Sequence, residues 1–319
     1  MTSRWDKFLS KMKKYSVEME ENMSFSSLTT LGCGGKIKVT LFPISIQQLV
    51  LCLKFTKKYH IERVVLGAGS NVLAGDSFFD GAVIVTKKLN GLTLQGTTAV
   101  AECGVSTPYL FCKLAEKGLT GGEFLSCLPA TIGGATVCNA GCFGQSMQQI
   151  VSSVTVWQNG KIHTLNVQQC NFNKRSSAFK NTNSVVLFVK LQLHQSTSEL
   201  VNQLANQFRT QKRQTQPLGA KSAGCVFFHP TVAVSALIDK AGLKGYRVGD
   251  AKISQKHAGF VINIDKAVAK DIYLLIVQII NILTNNFGVQ PQLEICLVNI
   301  TKEQDDIFAT SKGRNTQIS

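Results

Sequence analysis

Small residues crowd two stretches of the chain and limit both the backbone conformations and the neighbours that those stretches can have. In the first, a buried-strand signal ends at Leu66 and a glycine-rich turn follows at residues 67–71, where glycine lets backbone N–H groups approach an anion closely. In the second, residues 129–144 include so many small residues that the propensity for helix and for strand is low. Such residues occur where a flat ligand or another backbone comes very close. Together the stretches indicate a large phosphorylated cofactor; a structural turn and tight packing are the alternatives.

The order of the predicted elements divides the chain into two α+β domains. Helices are predicted over Glu199–Arg213, which has apolar residues at i, i+4 and i+8, and over Ala267–Phe287, where Gly288 ends the pattern. The predicted divisions are a helical lead-in (1–22), a first domain (23–195), a second domain (196–302) and a polar tail (303–319).

A formal net charge of +15 at pH 7 makes this 319-residue chain strongly basic. A basic surface attracts nucleic acid, anionic lipid or a phosphorylated substrate. The Lys and Arg residues are spread out and lack the basic–aromatic alternation of an RNA-binding motif, so no nucleic-acid partner is expected. The longest apolar stretch, Tyr273–Leu283, is too short for a membrane span of about 20 residues, and the N-terminus lacks the apolar core of a signal peptide. We therefore expect a soluble, cytoplasmic protein without a membrane partner, acting as a monomer.

Ten cysteines are scattered along the chain, and no C-x-x-C pair occurs among them. Without a secretory signal, a disulfide framework is not expected. Without clustered His or Cys, no metal site is expected. The ordinary role of such cysteines is that of small buried hydrophobes, and the alternative for one of them is a catalytic thiol.

Three further positions could carry chemistry. Arg175 follows Lys174 between apolar residues and hydroxyls, and such a pair can hold a carboxylate or a phosphate; a solvated loop is the alternative. Cys225 lies beside a glycine and before an apolar run, where a core cysteine is the alternative. Glu294 is a lone acid in an apolar strand. Because buried Glu is rare without a partner, it lies either on an exposed strand face or in a functional site.

These segments, in this order and spacing, resemble one family, the UDP-N-acetylenolpyruvoylglucosamine reductases, which are flavoenzymes of peptidoglycan precursor synthesis. The resemblance runs from about residue 24 to residue 300, and the compact C-terminal part is similar to the shorter class, which lacks an extra tyrosine-bearing loop. Further matching pieces are Thr29–Gly35, Gly122–Leu125, Leu237–Gly245 and Ser254–Phe260.

The resemblance implies an α+β fold in which residues 23–195 form a two-part FAD-binding domain of the vanillyl-alcohol-oxidase (PCMH) type and residues 196–302 form a smaller α+β substrate-binding domain. It also implies FAD as the cofactor, NADPH as the reductant and UDP-N-acetylglucosamine enolpyruvate as the substrate. The positions that it assigns to FAD binding are Gly67, Ala68, Gly69, Ser70, Asn71, Leu73, Thr131, Gly133, Gly134, Asn139, Ala140 and Gly141.

The resemblance assigns catalytic roles to the three positions named above. Arg175 would hold the substrate carboxylate and stabilise the negative charge of an enolate. Glu294 would assist at the same enolate. Cys225 would donate a proton to the middle carbon of the enol ether, since an ordinary thiol is mostly protonated at neutral pH.

The chain departs from the family pattern at several positions expected near the substrate. Lys174 replaces a tyrosine, and Gly259 replaces an asparagine. Phe228 and His229 replace the Lys and Asn of a Phe-Lys-Asn-Pro turn. The alternatives are therefore a different FAD oxidoreductase on the same scaffold, or a non-catalytic flavin or nucleotide-sugar binding protein. Retention of all three catalytic candidates favours the reductase.

Overall fold

The computed structural model describes residues 3–300. Its α-helices are α1 (Arg4–Lys14), α2 (Phe25–Leu28), α3 (Ile46–Lys58), α4 (Thr107–Glu116), α5 (Ile132–Val137), α6 (Ser198–Thr215), α7 (Val234–Lys240) and α8 (Ala269–Phe287). The short 3-10 helices are η1 (Thr86–Lys88), η2 (Glu123–Cys127) and η3 (Met147–Gln149).

The strands in the first two-thirds of the chain are β1 (Glu18–Glu21), β2 (Ile37–Phe42), β3 (Glu62–Leu66), β4 (Val72–Ala74), β5 (Phe79–Val85), β6 (Leu92–Gln95), β7 (Thr98–Glu102), β8 (Leu119–Thr120), β9 (Gly141–Cys142), β10 (Gln145–Ser146), β11 (Val151–Gln158), β12 (Lys161–Asn166), β13 (Val185–Gln192) and β14 (His194–Gln195). The later strands are β15 (Lys221–Cys225), β16 (Phe227–Phe228), β17 (Arg247–Val248), β18 (Ala251–Ile253), β19 (Phe260–Asn263), β20 (Gln292–Leu293) and β21 (Cys296–Val298).

The chain forms two compact units, each with its own apolar core. Unit 1 consists of the N-terminal segment that ends at Glu21, of Val39–Ala68 and of Asp80–Gln214. One of its sheets has the order β1-β2-β5-β3, with β1 antiparallel to β2 and β3 parallel to β5. A second large sheet is five-stranded and antiparallel, in the order β12-β11-β13-β7-β6. Unit 1 thus contains two separate large sheets, as a two-part domain requires.

The helix predicted in the N-terminal lead-in is present as α1, and the lead-in ends in strand β1. Ser3 caps α1 through a reciprocal pair of hydrogen bonds with Asp6, 3.1 Å and 2.9 Å long, which satisfies two donors at the helix start. The apolar face of α1 buries Phe8 and Met12 in the unit 1 core, where the Met12 sulfur lies 3.9 Å from the Cys52 thiol of α3.

Unit 2 consists of Asn22–Lys38, Gly69–Phe79 and the segment that begins at Thr215. Its main sheet is antiparallel in the order β15-β19-β18-β17, and α8 packs on β17 and β18. The Asp76 carboxylate accepts hydrogen bonds from two amides at the start of α8, 2.9 Å and 3.0 Å long, where an anion is favoured by the helix dipole. Gly288 ends α8 in the left-handed conformation (φ 63°). The helix predicted over Ala267–Phe287 is confirmed, with its start two residues later.

Helix α6 confirms the helix predicted over Glu199–Arg213 and belongs to unit 1 as far as Gln214. The Ser198 hydroxyl at its start donates to the Ala115 carbonyl at 2.6 Å, and Val201 and Ala205 are buried. The compact units therefore change after Gln214, whereas the sequence analysis predicts the domain division at residue 196. The functional division at residue 196 stays a prediction, and the predicted tail (303–319) lies outside the described residues. None of the helices within residues 3–300 combines the length and apolar composition that a bilayer crossing requires.

Candidate active site

In unit 2, the second half of the first glycine-rich stretch is bonded to the strand segment that carries Glu294. The Asn71 side-chain amide donates to the Glu294 carbonyl at 3.1 Å, and the Asn71 carbonyl accepts from the Cys296 amide at 2.8 Å. Strands β4 and β21 then run parallel, with Val72 opposite Cys296. The turn is therefore fixed to the Glu294 segment by backbone and side-chain bonds together.

The same Glu294 segment is joined to the segment of Cys225. The Glu294 amide donates to the Val226 carbonyl at 2.8 Å, and β16 pairs with β20 immediately beyond. Cys225 ends β15 at a register shift, directly after Gly224 in the left-handed conformation (φ 77°), and its side chain is half-buried. The structure thus brings together three predicted site residues of unit 2, namely Asn71, Cys225 and Glu294.

Thr30 is a further residue of this network, and the sequence analysis did not single it out. Its amide donates to the Gly69 carbonyl at 3.1 Å, and its hydroxyl donates to the Ser222 carbonyl at 2.6 Å. Thr30 therefore ties the glycine-rich turn to β15, the strand that leads to Cys225. Its place in the matching Thr29–Gly35 piece is the signal that could have identified it.

In unit 1, close packing explains two of the predicted cofactor-binding glycines. A Cβ atom on Gly67 would lie 2.2 Å from the Thr131 hydroxyl oxygen, and one on Gly133 would lie 2.8 Å from the Cys103 Cβ. The Gly133 amide donates to the Cys103 carbonyl at 2.9 Å. The alternative of tight packing therefore holds for these two positions. Gly134 differs because it is exposed, and its nearest neighbour would be the Thr131 hydroxyl oxygen at 3.4 Å.

Asn139 organises the second stretch through its side chain. It is buried, with a left-handed backbone (φ 41°). Its amide nitrogen donates to the Gln148 side-chain oxygen at 3.1 Å and to the Asn173 carbonyl at 2.9 Å, and its side-chain oxygen accepts from the Gln148 amide at 3.0 Å. The Asn139 side chain thus anchors the turn that carries Arg175.

Arg175 lies at the tip of a tight turn in unit 1. Asn173 and Ser176 exchange two backbone hydrogen bonds, 3.0 Å and 3.1 Å long, and Arg175 between them has a φ of 58°. This left-handed conformation costs about 1–2 kcal/mol for a residue with a Cβ. The guanidinium donates to the Gly141 carbonyl at 3.1 Å, and the Arg175 carbonyl accepts from the Lys180 ammonium at 3.0 Å. The half-buried Arg175 is therefore held in place rather than free in a solvated loop.

The first glycine-rich stretch has the donors that a diphosphate needs. Within residues 3–300, the backbone amides of Ala68, Gly69 and Ser70 donate no hydrogen bond to another group of the chain. Successive amides of this kind favour anionic oxygens. In the same range, no group of three or more His, Cys, Asp or Glu side chains has an arrangement that could hold a metal ion. The residues present therefore fit a phosphorylated organic cofactor.

Comparison with known proteins gives the family. Residues 37–166 match the model of an FAD binding domain, and residues 216–298 match that of the C-terminal domain of UDP-N-acetylenolpyruvoylglucosamine reductase. A UDP-N-acetylenolpyruvoylglucosamine reductase of Caldicellulosiruptor saccharolyticus is 34% identical over 90% of this chain and 95% of its own. The chain belongs to the UDP-N-acetylenolpyruvoylglucosamine reductase family.

Further comparisons agree with this membership. A UDP-N-acetylenolpyruvoylglucosamine reductase of Streptococcus pneumoniae is 32% identical over 93% of this chain and 99% of its own. The crystal structure of the reductase from Thermus caldophilus superimposes with a TM-score of 0.76 at 30% identity, covering 88% of this chain and 98% of the other. The family resemblance and the predicted fold class, a two-part PCMH-type FAD domain with an α+β C-terminal domain, are therefore confirmed.

The departures from the family pattern lie at surface-accessible or locally bonded positions. Lys174 is exposed beside Arg175 at the tip of its turn. The Nδ1 atom of His229 lies 3.4 Å from the Thr231 amide, so it can accept a hydrogen bond within its own turn. Gly259 donates its amide to Nδ1 of His257 at 3.1 Å, and burial of that imidazole lowers the pKa of His257. The neutral His257 ring thus accepts a hydrogen bond from the backbone at Nδ1.

Proposed function

We propose that the chain is an NADPH-dependent FAD oxidoreductase that reduces UDP-N-acetylenolpyruvoylglucosamine, the enolpyruvyl ether of UDP-N-acetylglucosamine, to UDP-N-acetylmuramate. The reaction would serve peptidoglycan precursor synthesis in the cytoplasm. The observation that carries the proposal is the network in unit 2. There the Glu294 backbone is hydrogen-bonded to the Asn71 side chain at 3.1 Å and to the carbonyl of Val226, the residue after Cys225, at 2.8 Å. Family membership supplies the substrate class.

The FAD-binding residues supply different kinds of contact. The amides of Ala68, Gly69 and Ser70 would hold the diphosphate, since they have no acceptor within the described chain. Exposed Gly134 leaves space on which a flat group can lie close to the backbone. When bound, FAD supplies the redox chemistry by taking a hydride from NADPH and passing it to the terminal methylene carbon of the substrate.

Arg175 would bind the substrate carboxylate and stabilise the negative charge that spreads into it after hydride addition. A guanidinium can pair with both oxygens of a carboxylate at once. Its contact with the Gly141 carbonyl fixes the side chain, and the guanidinium carries several N–H donors in one plane. A preorganised donor of this kind is typically worth about 10²–10³-fold in rate.

Cys225 would donate the proton that completes the reduction, at the carbon next to the carboxylate. Cys225 is half-buried and follows Gly224. A Cβ added to Gly224 would meet no atom within 4 Å, so a substrate can reach this segment from that side. Glu294 would assist at the enolate. Its backbone is bonded to residues from both the Asn71 and the Cys225 segments, so its position depends on both.

Anaerobic flavin spectroscopy tests the proposal. NADPH should bleach the flavin absorbance of the purified protein, and the enolpyruvyl sugar nucleotide should then restore it. A protein that cannot be reconstituted with FAD, or a reduced flavin that the substrate does not reoxidise, would contradict it.

Substitution of Cys225 tests the assignment of the proton donor. Cys225→Ala should leave bleaching by NADPH intact and slow reoxidation by substrate by about 10²–10⁴-fold, the usual contribution of a general acid. Cys225→Ser should retain appreciable activity, because a hydroxyl can also donate. Cys112→Ala, at an exposed cysteine of α4, is the matched control and should behave as wild type. Unchanged reoxidation in Cys225→Ala would remove the proton-donor role.

A further inference from the structure

Two free thiols of unit 1, Cys127 and Cys142, meet where η2 packs against β9. The Cys142 thiol lies 3.8 Å from the Phe124 carbonyl, to which it can donate. A 3-10 turn places the carbonyl of Phe124 beside the residue three positions later, which is Cys127. The Cys127 thiol lies 3.6 Å from the Ser126 hydroxyl, and each of the two thiols is the largest influence on the pKa of the other. A pair separated in sequence, without C-x-x-C spacing, is thus assembled by the fold.

The surroundings of the pair favour one thiolate. The hydrogen bond from Cys142 lowers the pKa of Cys127, with further lowering from the Ser126 hydroxyl and the positive charges of Lys212 and Arg209. The same contact with Cys127, together with burial, raises the pKa of Cys142. The first ionisation of the pair is therefore expected at Cys127.

The other buried cysteines behave in the opposite way. Burial raises the pKa of Cys33, Cys52 and Cys103 to about 12 each and that of Cys170 to about 11. These four are the small buried hydrophobes that the sequence analysis predicts for most cysteines. That interpretation is wrong for Cys112, whose side chain is exposed. The Cys127–Cys142 pair stands apart from both kinds.

We propose that Cys127 and Cys142 form a redox-active dithiol that a small peroxide converts into a disulfide. The Cys127 thiolate attacks one oxygen of hydrogen peroxide, so that an S–O bond forms, the O–O bond breaks and hydroxide leaves. The Cys142 sulfur, after losing its proton, then attacks the Cys127 sulfur, and the S–O bond breaks with release of a second hydroxide. With the protons from the two thiols, the balance is two thiols and one peroxide giving one disulfide and two waters. We choose hydrogen peroxide as the oxidant because Cys127 is only 7% exposed, which favours a small reagent.

The pair lies next to the residues that hold Arg175. Gly141, whose carbonyl accepts from the Arg175 guanidinium at 3.1 Å, precedes Cys142 in β9. The carbonyl of Cys127 accepts from the Lys212 ammonium. Because an S–S bond is about 2.05 Å long, shorter than a contact between two thiols, closing it draws β9 towards η2. We therefore expect the oxidised protein to hold Arg175 less well, a consequence that rests on the proposed function.

Peptide mapping of the peroxide-treated full-length protein tests the chemistry without reference to activity. After alkylation of remaining thiols under non-reducing conditions, wild type and Cys112→Ser should both give a crosslinked peptide that joins Cys127 to Cys142 and that a reductant removes. Cys142→Ser should give no crosslink but a sulfenic acid at Cys127 that dimedone traps. Cys127→Ser should give neither product at Cys142. A crosslink between other cysteines, or peroxide consumption at Cys112 with Cys127 unmodified, would overturn the proposal.

The pH dependence of crosslinking separates a favoured thiolate from mere proximity. The rate follows the thiolate fraction of the attacking sulfur. Because the pKa of Cys127 lies below the ordinary value of 9.0, the rate should level off well below pH 9. A crosslinking rate that climbs steadily to pH 9 would contradict the role of Cys127 as the attacking thiolate.

The final arm measures activity. Oxidised wild type should be reduced by NADPH as before but reoxidised by substrate several-fold more slowly, and a reductant should restore the rate. Cys142→Ser should lose this response to peroxide. A disulfide that forms without changing either half-reaction would retain the redox site and remove its link to Arg175. A protein that binds no flavin but still forms the disulfide would contradict the proposed function alone.

Discussion

The two small-residue stretches look alike in sequence but use their backbones differently. In the turn at residues 67–71, the amides of Ala68, Gly69 and Ser70 have no acceptor within the described part of the chain. In the stretch from Thr131 to Gly141, the amides of Gly133, Asn139 and Ala140 already donate to carbonyls of unit 1 at 2.8–3.1 Å. The first stretch thus keeps donors for a ligand, whereas the second uses its own donors to build a support for Arg175. A run of small residues therefore indicates that another group comes close to the backbone. The hydrogen bonds of the backbone amides show whether that group is part of the chain or a ligand.

The largest effect is expected in the first stretch, at Gly69. A Cβ there would lie 2.1 Å from the Leu28 carbonyl oxygen, and the backbone has a φ of 68°. Gly69→Ala therefore combines left-handed strain of about 1–2 kcal/mol with overpacking of about 1–3 kcal/mol, so the free energy of unfolding should fall by about 3 kcal/mol. Denaturant unfolding of the apoprotein measures this.

Gly96→Ala is the matched control for Gly69→Ala. Gly96 also has a left-handed backbone (φ 55°), but a Cβ there would meet nothing within 4 Å. In Gly96→Ala the free energy of unfolding should therefore fall only by the cost of a left-handed backbone at alanine, about 1–2 kcal/mol. Equal losses in the two variants would show that backbone strain, and not the approach of Leu28, requires glycine at position 69.

The next largest effect is expected in the second stretch, at Asn139. Asn139→Ala removes three side-chain hydrogen bonds, each worth about 0.5–1.5 kcal/mol. The free energy of unfolding should fall by about 2 kcal/mol, and reoxidation by substrate should slow more than reduction by NADPH, because the anchored turn carries Arg175.

The control for Asn139→Ala is Asn159→Ala. Asn159 also has a left-handed backbone (φ 53°), but it is exposed on a hairpin. Asn159→Ala should lower the free energy of unfolding only by the cost of placing alanine in a left-handed backbone conformation. Both half-reactions should be unchanged. If Asn139→Ala slows both half-reactions equally, the side chain does not act through the Arg175 turn.

The sequence predicted the elements that depend on residues close together in the chain. Helices α6 and α8 follow from apolar periodicity, and the C-cap of α8 follows from Gly288, because these signals lie within a few residues of one another. The family resemblance supplied the site residues as a set. The bonds that organise them join distant positions, as Asn139 does with Asn173 and Thr30 with Ser222. Those pairings depend on the tertiary fold, so no local signal could reveal them.

The smallest effect distinguishes ligand space from backbone packing inside a single helix. Gly134 lies in α5, is exposed, and would place a Cβ no closer than 3.4 Å to its neighbours. Because alanine favours a helix over glycine by about 0.5–1 kcal/mol, Gly134→Ala should raise the thermal stability of the apoprotein slightly. Its added methyl group should nevertheless weaken FAD binding by about tenfold, the equivalent of roughly 1.4 kcal/mol of overpacking. Flavin fluorescence titration measures this affinity.

Gly133→Ala should show the reverse pattern, because its Cβ would lie 2.8 Å from the Cys103 Cβ and 2.9 Å from the Cys103 carbonyl oxygen. The apoprotein should lose about 1–3 kcal/mol of stability, while the FAD affinity of the molecules that remain folded should change less than in Gly134→Ala. The sign of the stability change therefore separates the two neighbours: a glycine kept for packing destabilises the apoprotein when replaced, and a glycine kept for a ligand does not. Unchanged FAD affinity in a stabilised Gly134→Ala protein would show that neither packing nor the cofactor requires glycine at position 134, and would leave the turn at residues 67–71 as the stretch that holds the cofactor.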